Sequence, residues 1–151
     1  MEPNADTEGE VGPLDETALE QIRDVFATLD GLVIESRFDS LLDPTKLIVR
    51  LNDGIGAADS CRFDVRWYHT GYYNFHHTDK QDVNFRFDYH PKSDAPNKHF
   101  HPPPDASSYH PQRSCISTTE PRLVTRAVHF LWRRAYEKNS LTQLNEAKNQ
   151  P

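Results

Sequence analysis

Hydrophobic and polar residues alternate most cleanly between Val83 and His90. There Phe85, Phe87 and Tyr89 fall on one side of an extended chain, and Arg86, Asp88 and His90 on the other. A period of two marks a half-buried strand, because successive side chains point to opposite faces of a sheet. The same reading predicts strands at Lys46–Asn52, Cys61–His69 and Tyr72–Thr78, with a less regular one at Leu32–Phe38. Thr70-Gly71 suits a hairpin turn, and Asp79–Asp82 a further reversal. Connections this short join antiparallel neighbours, since parallel pairs need long crossovers.

Helical spacing appears at both ends. Ala18, Ile22, Val25, Phe26 and Leu29 form one apolar stripe, with Thr17 and Glu20 as a capping box and Gly31 as the stop. Val124, Ala127, Val128, Leu131 and Ala135 form another, opened by Thr119-Glu120-Pro121. The stripes must be buried and the meander has one aromatic face to receive them. The expected fold is α+β: an antiparallel β-meander of about 4–6 strands, with an N-terminal and a C-terminal helix on one face. Residues 1–13 are expected to be a disordered acidic tail, 14–138 a single domain and 139–151 a polar C-terminal tail that frays. Pro91–Ser114, with its prolines and histidines, is expected to be a long loop.

Composition narrows the function. The chain has 151 residues, 36% of them hydrophobic, and a formal net charge of -6. That charge argues against a general nucleic-acid coat but allows a local basic patch. Arginine outnumbers lysine and aspartate outnumbers glutamate, a bias of salt-adapted or high-GC sources. Cys61 and Cys115 show no paired spacing, and Cys61 is expected to be a buried reduced thiol. No apolar run can cross a bilayer and no signal-peptide pattern is present, so a cytoplasmic location without membrane is expected. No Walker loop, dinucleotide fingerprint, Gly-x-Ser-x-Gly elbow or Cys-x-x-Cys pair occurs, which leaves nucleotide phosphoryl transfer, hydride transfer and zinc fingers without support.

Three groups could carry chemistry. On the polar side of the aromatic strand, Asp88 can orient His90 or pair with Arg86, tuning an imidazole near neutral pH; a solvated sheet face with Arg–Asp pairs reads equally well. Arg62, Asp64 and Arg66 share that face, with Asn74 and His76 as further members. His99-x-His101 is open to three readings. It could be a metal site completed by Asp105 or His110, a metal-free proton-transfer site beside His90, or a plain polar loop. The spacing resembles the paired histidines of cupin barrels, but Pro102–Pro104 cannot sit within an interior strand, and that fold is not adopted. Finally, Arg122, Arg126, His129 and Arg133 form a basic stripe opposite the apolar one, either a solvated face or an attraction for phosphate or an acidic partner.

The Arg86-x-Asp88-x-His90 strand, the loop and His99-x-His101 together resemble the TumE-type toxins of toxin–antitoxin pairs, especially forms from halophilic archaea. The following helix, ISTTEPRLVTRAVHFLWRRAYE, is similar in kind, and the resemblance spans about Leu47–Glu137. The acidic N-terminal segment departs from it in length. The resemblance implies a small cytoplasmic toxin that acts on RNA and is neutralised by a cognate antitoxin. On this reading the chain is a metal-independent endoribonuclease with no cofactor. His90, His99 and His101 are then the acid–base residues with Asp88, and Arg62, Arg66, Arg86, Arg122, Arg126 and Arg133 bind substrate. The competing readings are a non-catalytic interaction module and a metal-dependent enzyme using His99, His101 and Asp105.

Overall fold

The structure is a computed structural model that describes residues 12–90, 97–107 and 110–146. The first helix, α1, runs Glu16–Leu29. Its N-cap is Asp15, whose carboxylate accepts from the Ala18 N–H at 3.0 Å, so the expected Thr17 capping box starts the helix two residues late. Aspartate serves here because its carboxylate both accepts an unpaired helix N–H and complements the positive end of the helix.

Seven strands follow, in an antiparallel meander whose spatial order is their chain order: β1 Val33–Phe38, β2 Leu47–Leu51, β3 Cys61–Trp67, β4 Tyr73–Asp79, β5 Phe85–Tyr89, β6 Lys98–His101 and β7 Gln112–Arg113. The α+β fold with both helices on one face is as expected. The last two strands lie within the stretch expected as a loop. β6 lies between β5 and β7 and stops at His101, immediately before the prolines, which supply no ladder N–H. At the β3–β4 hairpin Gly71 has a φ of 92°, a conformation glycine adopts without strain, and its N–H donates to the Tyr68 carbonyl at 2.8 Å. The second helix, α2, runs Pro121–Lys138 with Glu120 as N-cap and proline in the first turn.

Alternation sorts the sheet into two faces. Leu47, Val49, Phe63, Val65, Phe75, Phe85, Phe87 and Phe100 are buried with Ile22 and Phe26 of α1 and Val128, Leu131 and Trp132 of α2. Each such side chain contributes about 2 kcal/mol on leaving water. Cys61 belongs to this core, its thiol pushed up to about 12 by burial first and then by nearby carboxylates, and neither cysteine is in a disulfide. Beyond α2, where a fraying tail was expected, residues 140–146 pack back on the sheet edge. Leu144 is buried, and Asn145 accepts from the Cys115 N–H at 2.8 Å and donates to the Arg113 carbonyl at 2.9 Å. The proposed disordered tail falls mostly outside the described residues. Within them, the Pro13 carbonyl accepts from the His69 N–H and Leu14 bridges to Tyr68.

Candidate functional site on the polar sheet face

Strand register decides which polar residues become neighbours. One cross-strand row reads Ile48, Asp64, His76, Arg86, His101 from β2 to β6, and the next reads Arg66, Asn74, Asp88, His99, Arg113 from β3 to β7. His99 and His101 are thus strand residues whose side chains flank the core-facing Phe100, and they stand beside the Arg86–Asp88–His90 strand.

Asp88 is the centre of the cluster. It is 1% exposed and accepts from Asn74 Nδ2 at 2.7 Å and from Arg86 Nε at 3.0 Å. His101 Nε2 lies 3.1 Å and His90 Nε2 3.7 Å from the same carboxylate oxygen. Burial alone would raise its pKa, but His101, His90 and the Arg86 charge together hold it well below the usual carboxylate range. The rings continue the contact: His90 and His99 are 5.3 Å apart, His99 and His101 6.0 Å.

The three histidines differ in access. His99 and His101 are buried, whereas the His90 side chain is 26% exposed. His101 is covered by the turn after β6, its Nδ1 lying 2.9 Å from the Ser107 carbonyl. That turn is tied to β5, since the Asn84 N–H donates to the Pro104 carbonyl at 2.7 Å and the Ala106 N–H to the Asn84 carbonyl at 3.1 Å.

Arginines on this face are not equivalent either. Arg62 is engaged by the buried Asp64, which also takes Lys46, each at 3.1 Å. Arg66, two positions on, has no ion-pair partner among the described residues and stands across from Asn74. His76 sits between Asp64 and Arg86 in its row, Nε2 3.3 Å from Asn84 Oδ1. Burial first, then Arg86 and Arg66, hold this imidazole below its ordinary value against the opposite pull of Asn84 and Asp64. Asn74 and His76 stand on this face as expected, and the bond from Asn74 to Asp88 is what sequence reasoning missed. Their alternate spacing put them on this face, but only register shows Asn74 bound to Asp88.

The helical basic stripe does not join this site. Both helices cover the opposite face, and the stripe faces α1 in part: His129 Nε2 meets Asp30 Oδ2 at 2.8 Å, and Arg133 meets both Asp30 oxygens at 3.1 Å and Glu137 at 3.0 Å. Arg122 and Arg126 line a shallow groove with Asp24, Val25 and Thr28 of α1. Asp105 lies exposed in the turn that pairs with Asn84, and His110 is exposed. Among the described residues, no three His, Cys, Asp or Glu side chains are grouped to hold a metal ion. No helix among the described residues is long and apolar enough to cross a membrane.

Comparison with known proteins gives one finding. The model of a protein family described as Toxin TumE matches residues 20–139. No curated protein and no solved structure matches the chain.

Proposed function

The chain belongs to the TumE toxin family, and from that premise we propose that it is a toxin that cleaves RNA on the polar face of its sheet. The observation that carries this reading is the buried Asp88 carboxylate, which gathers two imidazoles, a guanidinium and an amide around one point. A carboxylate behind an imidazole fixes its orientation and supports the charge it gains on taking a proton. His90, the most accessible of the three histidines, removes the proton of a ribose 2′-OH. The 2′ oxygen attacks the adjacent phosphorus, and the 5′ oxygen leaves with a proton supplied from the neighbouring His99. Products are a 2′,3′-cyclic phosphate and a 5′-hydroxyl end. Arg66 and Arg86 stand where they can hold the phosphate during the transfer. The cognate antitoxin, on this reading, acts by covering the same face.

The test is incubation of purified protein with an RNA oligonucleotide and its all-deoxy counterpart, with and without chelator. Cleavage of RNA alone, a cyclic phosphate product, a bell-shaped pH profile and indifference to chelator are expected. Intact RNA in the absence of antitoxin sinks the proposal.

Burial of His99 and His101 favours a second reading, in which the cluster is a structural support for a docking face. The variant His90→Ala separates the two. An enzyme loses cleavage and keeps RNA and antitoxin binding; a docking face loses antitoxin binding and has no cleavage to lose.

A further inference from the structure

A second feature of the polar face lies at the other end of the strands. Arg50, Arg62 and Thr78 form a cross-strand row on β2, β3 and β4, two residues from the row that holds His76 and Arg86. Around them is an open pocket of about 330 Å³, completed by Ile34, Ser60 and Lys80. Three basic residues, of which Arg50 and Arg62 are already ion-paired, and two hydroxyl residues thus line one cavity of a chain whose net charge is -6. The carboxylates nearby already have partners, and two of them, Glu35 and Asp64, hold arginines of the pocket itself. Asp79, which also lines the cavity, accepts from the Gln81 and Val83 N–H groups at 2.7 and 3.1 Å. Glu35 holds Arg50 at 2.9 Å and Arg37 at 3.1 Å, and Asp64 holds Arg62. Lys80 is exposed and has no ion-pair partner among the described residues. Beside the charges stands Ile34, 62% exposed at the irregularity where β1 shifts register against β2.

We infer that this pocket is a subsite for a backbone phosphate of bound RNA, distinct from the Asp88 cluster. Arg50, Arg62 and Lys80 would take the phosphate oxygens, with Ser60 and Thr78 as hydroxyl donors. Ile34 offers an apolar wall to the sugar or base that follows. This inference rests on the RNA-cleaving reading and adds to it a footprint and a direction. The Thr78 row and the Asn74–Asp88 row are four residues apart along the strands, roughly 13 Å. That distance is a two-nucleotide stride of extended backbone, so the strand would run along β3 and β4 with its scissile linkage at Asp88. A dinucleotide fills the Asp88 end alone, and a hexanucleotide reaches both.

Affinity for non-cleavable 2′-O-methyl RNA, as a dinucleotide and as a hexanucleotide, tests this on the full chain. The variants are Lys80→Ala and Arg50→Ala, singly and together. Since Lys80 is an exposed side chain, its removal leaves the fold intact. The expected result is a hexanucleotide affinity lowered about fivefold at about 0.1 M salt in the double variant, with a salt slope shallower by about 0.7, as one lost phosphate contact requires. Dinucleotide affinity stays at the wild-type value. An unchanged hexanucleotide affinity, or equal losses at both lengths, overturns the subsite. Loss of binding to the antitoxin with RNA affinity intact also overturns it and makes the pocket a protein contact. A wild-type chain that binds neither oligomer overturns the RNA-cleaving reading itself.

Discussion

Asp30 and Asp88 are chemically alike, and the molecule uses them on opposite sides of its sheet. Each is a buried carboxylate held below its usual range against burial, and each touches histidine and arginine side chains. Around Asp30 the partners come from another helix: His129 and Arg133 of α2 close on the C-cap of α1, where Asp30 Oδ1 also accepts from the Leu32 N–H at 2.9 Å. That arrangement joins two elements and faces the layer that closes the core. Around Asp88 the partners stand on the sheet itself, and one of them, His90, reaches solvent. A carboxylate–imidazole–guanidinium set is therefore not in itself a sign of catalysis. What separates the two is the imidazole: the His90 side chain is 26% exposed, against 12% for His129.

The largest expected effect comes from breaking the Asp88 side of the pair. Asp88→Asn keeps the shape and removes the charge that orients His90, so RNA cleavage should fall about a thousandfold, read as kcat/KM, with the far-ultraviolet spectrum of the wild type. Asp30→Asn should do the reverse. Losing the buried carboxylate charge that holds His129 and Arg133 costs about 3 kcal/mol, seen in denaturant unfolding, with cleavage per folded molecule unchanged. If both variants lose activity in proportion to stability, the distinction fails.

A smaller effect concerns His77, which follows His76 on β4 but points into the core. It stacks on Phe85 at 4.5 Å, with Nδ1 3.0 Å from the Val83 carbonyl, and burial pushes it down from 6.5 to about 4. The unfolded chain takes up this proton below 6.5 and the folded chain only near 4. The contribution is thus complete above 6.5 and is lost as pH falls towards 4, a change of about 3 kcal/mol. His77→Phe should flatten unfolding free energy against pH across that window. An unaltered slope would place the acid sensitivity elsewhere. The comparison with Asp88 is sharpened, because here burial is the main cause of the imidazole's shift and the ring serves packing.

Much of the architecture was readable from spacing, since period two over Lys46–His90 and the two helical stripes report local geometry that each side chain carries with it. β6 was hidden because only Lys98–His101 pairs, with prolines immediately after, and four residues are too few to declare a period. The Asp88 cluster was readable as a list of residues and not as neighbours. Asn74 joins it through a register fourteen residues away, and His99 and His101 through β5–β6 pairing. Likewise, Arg133 looked like a solvated or ligand-seeking cation because Asp30, its partner, lies 103 residues earlier. Pairing across such sequence distances leaves no trace in local pattern.

The order of assembly follows from where α2 sits. Each strand of the meander can pair with the one just made, but the aromatic face stays uncovered on its α2 side until Val124–Trp132 has been synthesised. On the ribosome, a half-built sheet would present bare phenylalanines to the surrounding medium, and the growing polypeptide would remain vulnerable to capture until its closing segment emerged. For a protein of toxic kind, harm would begin only with the last helix in place.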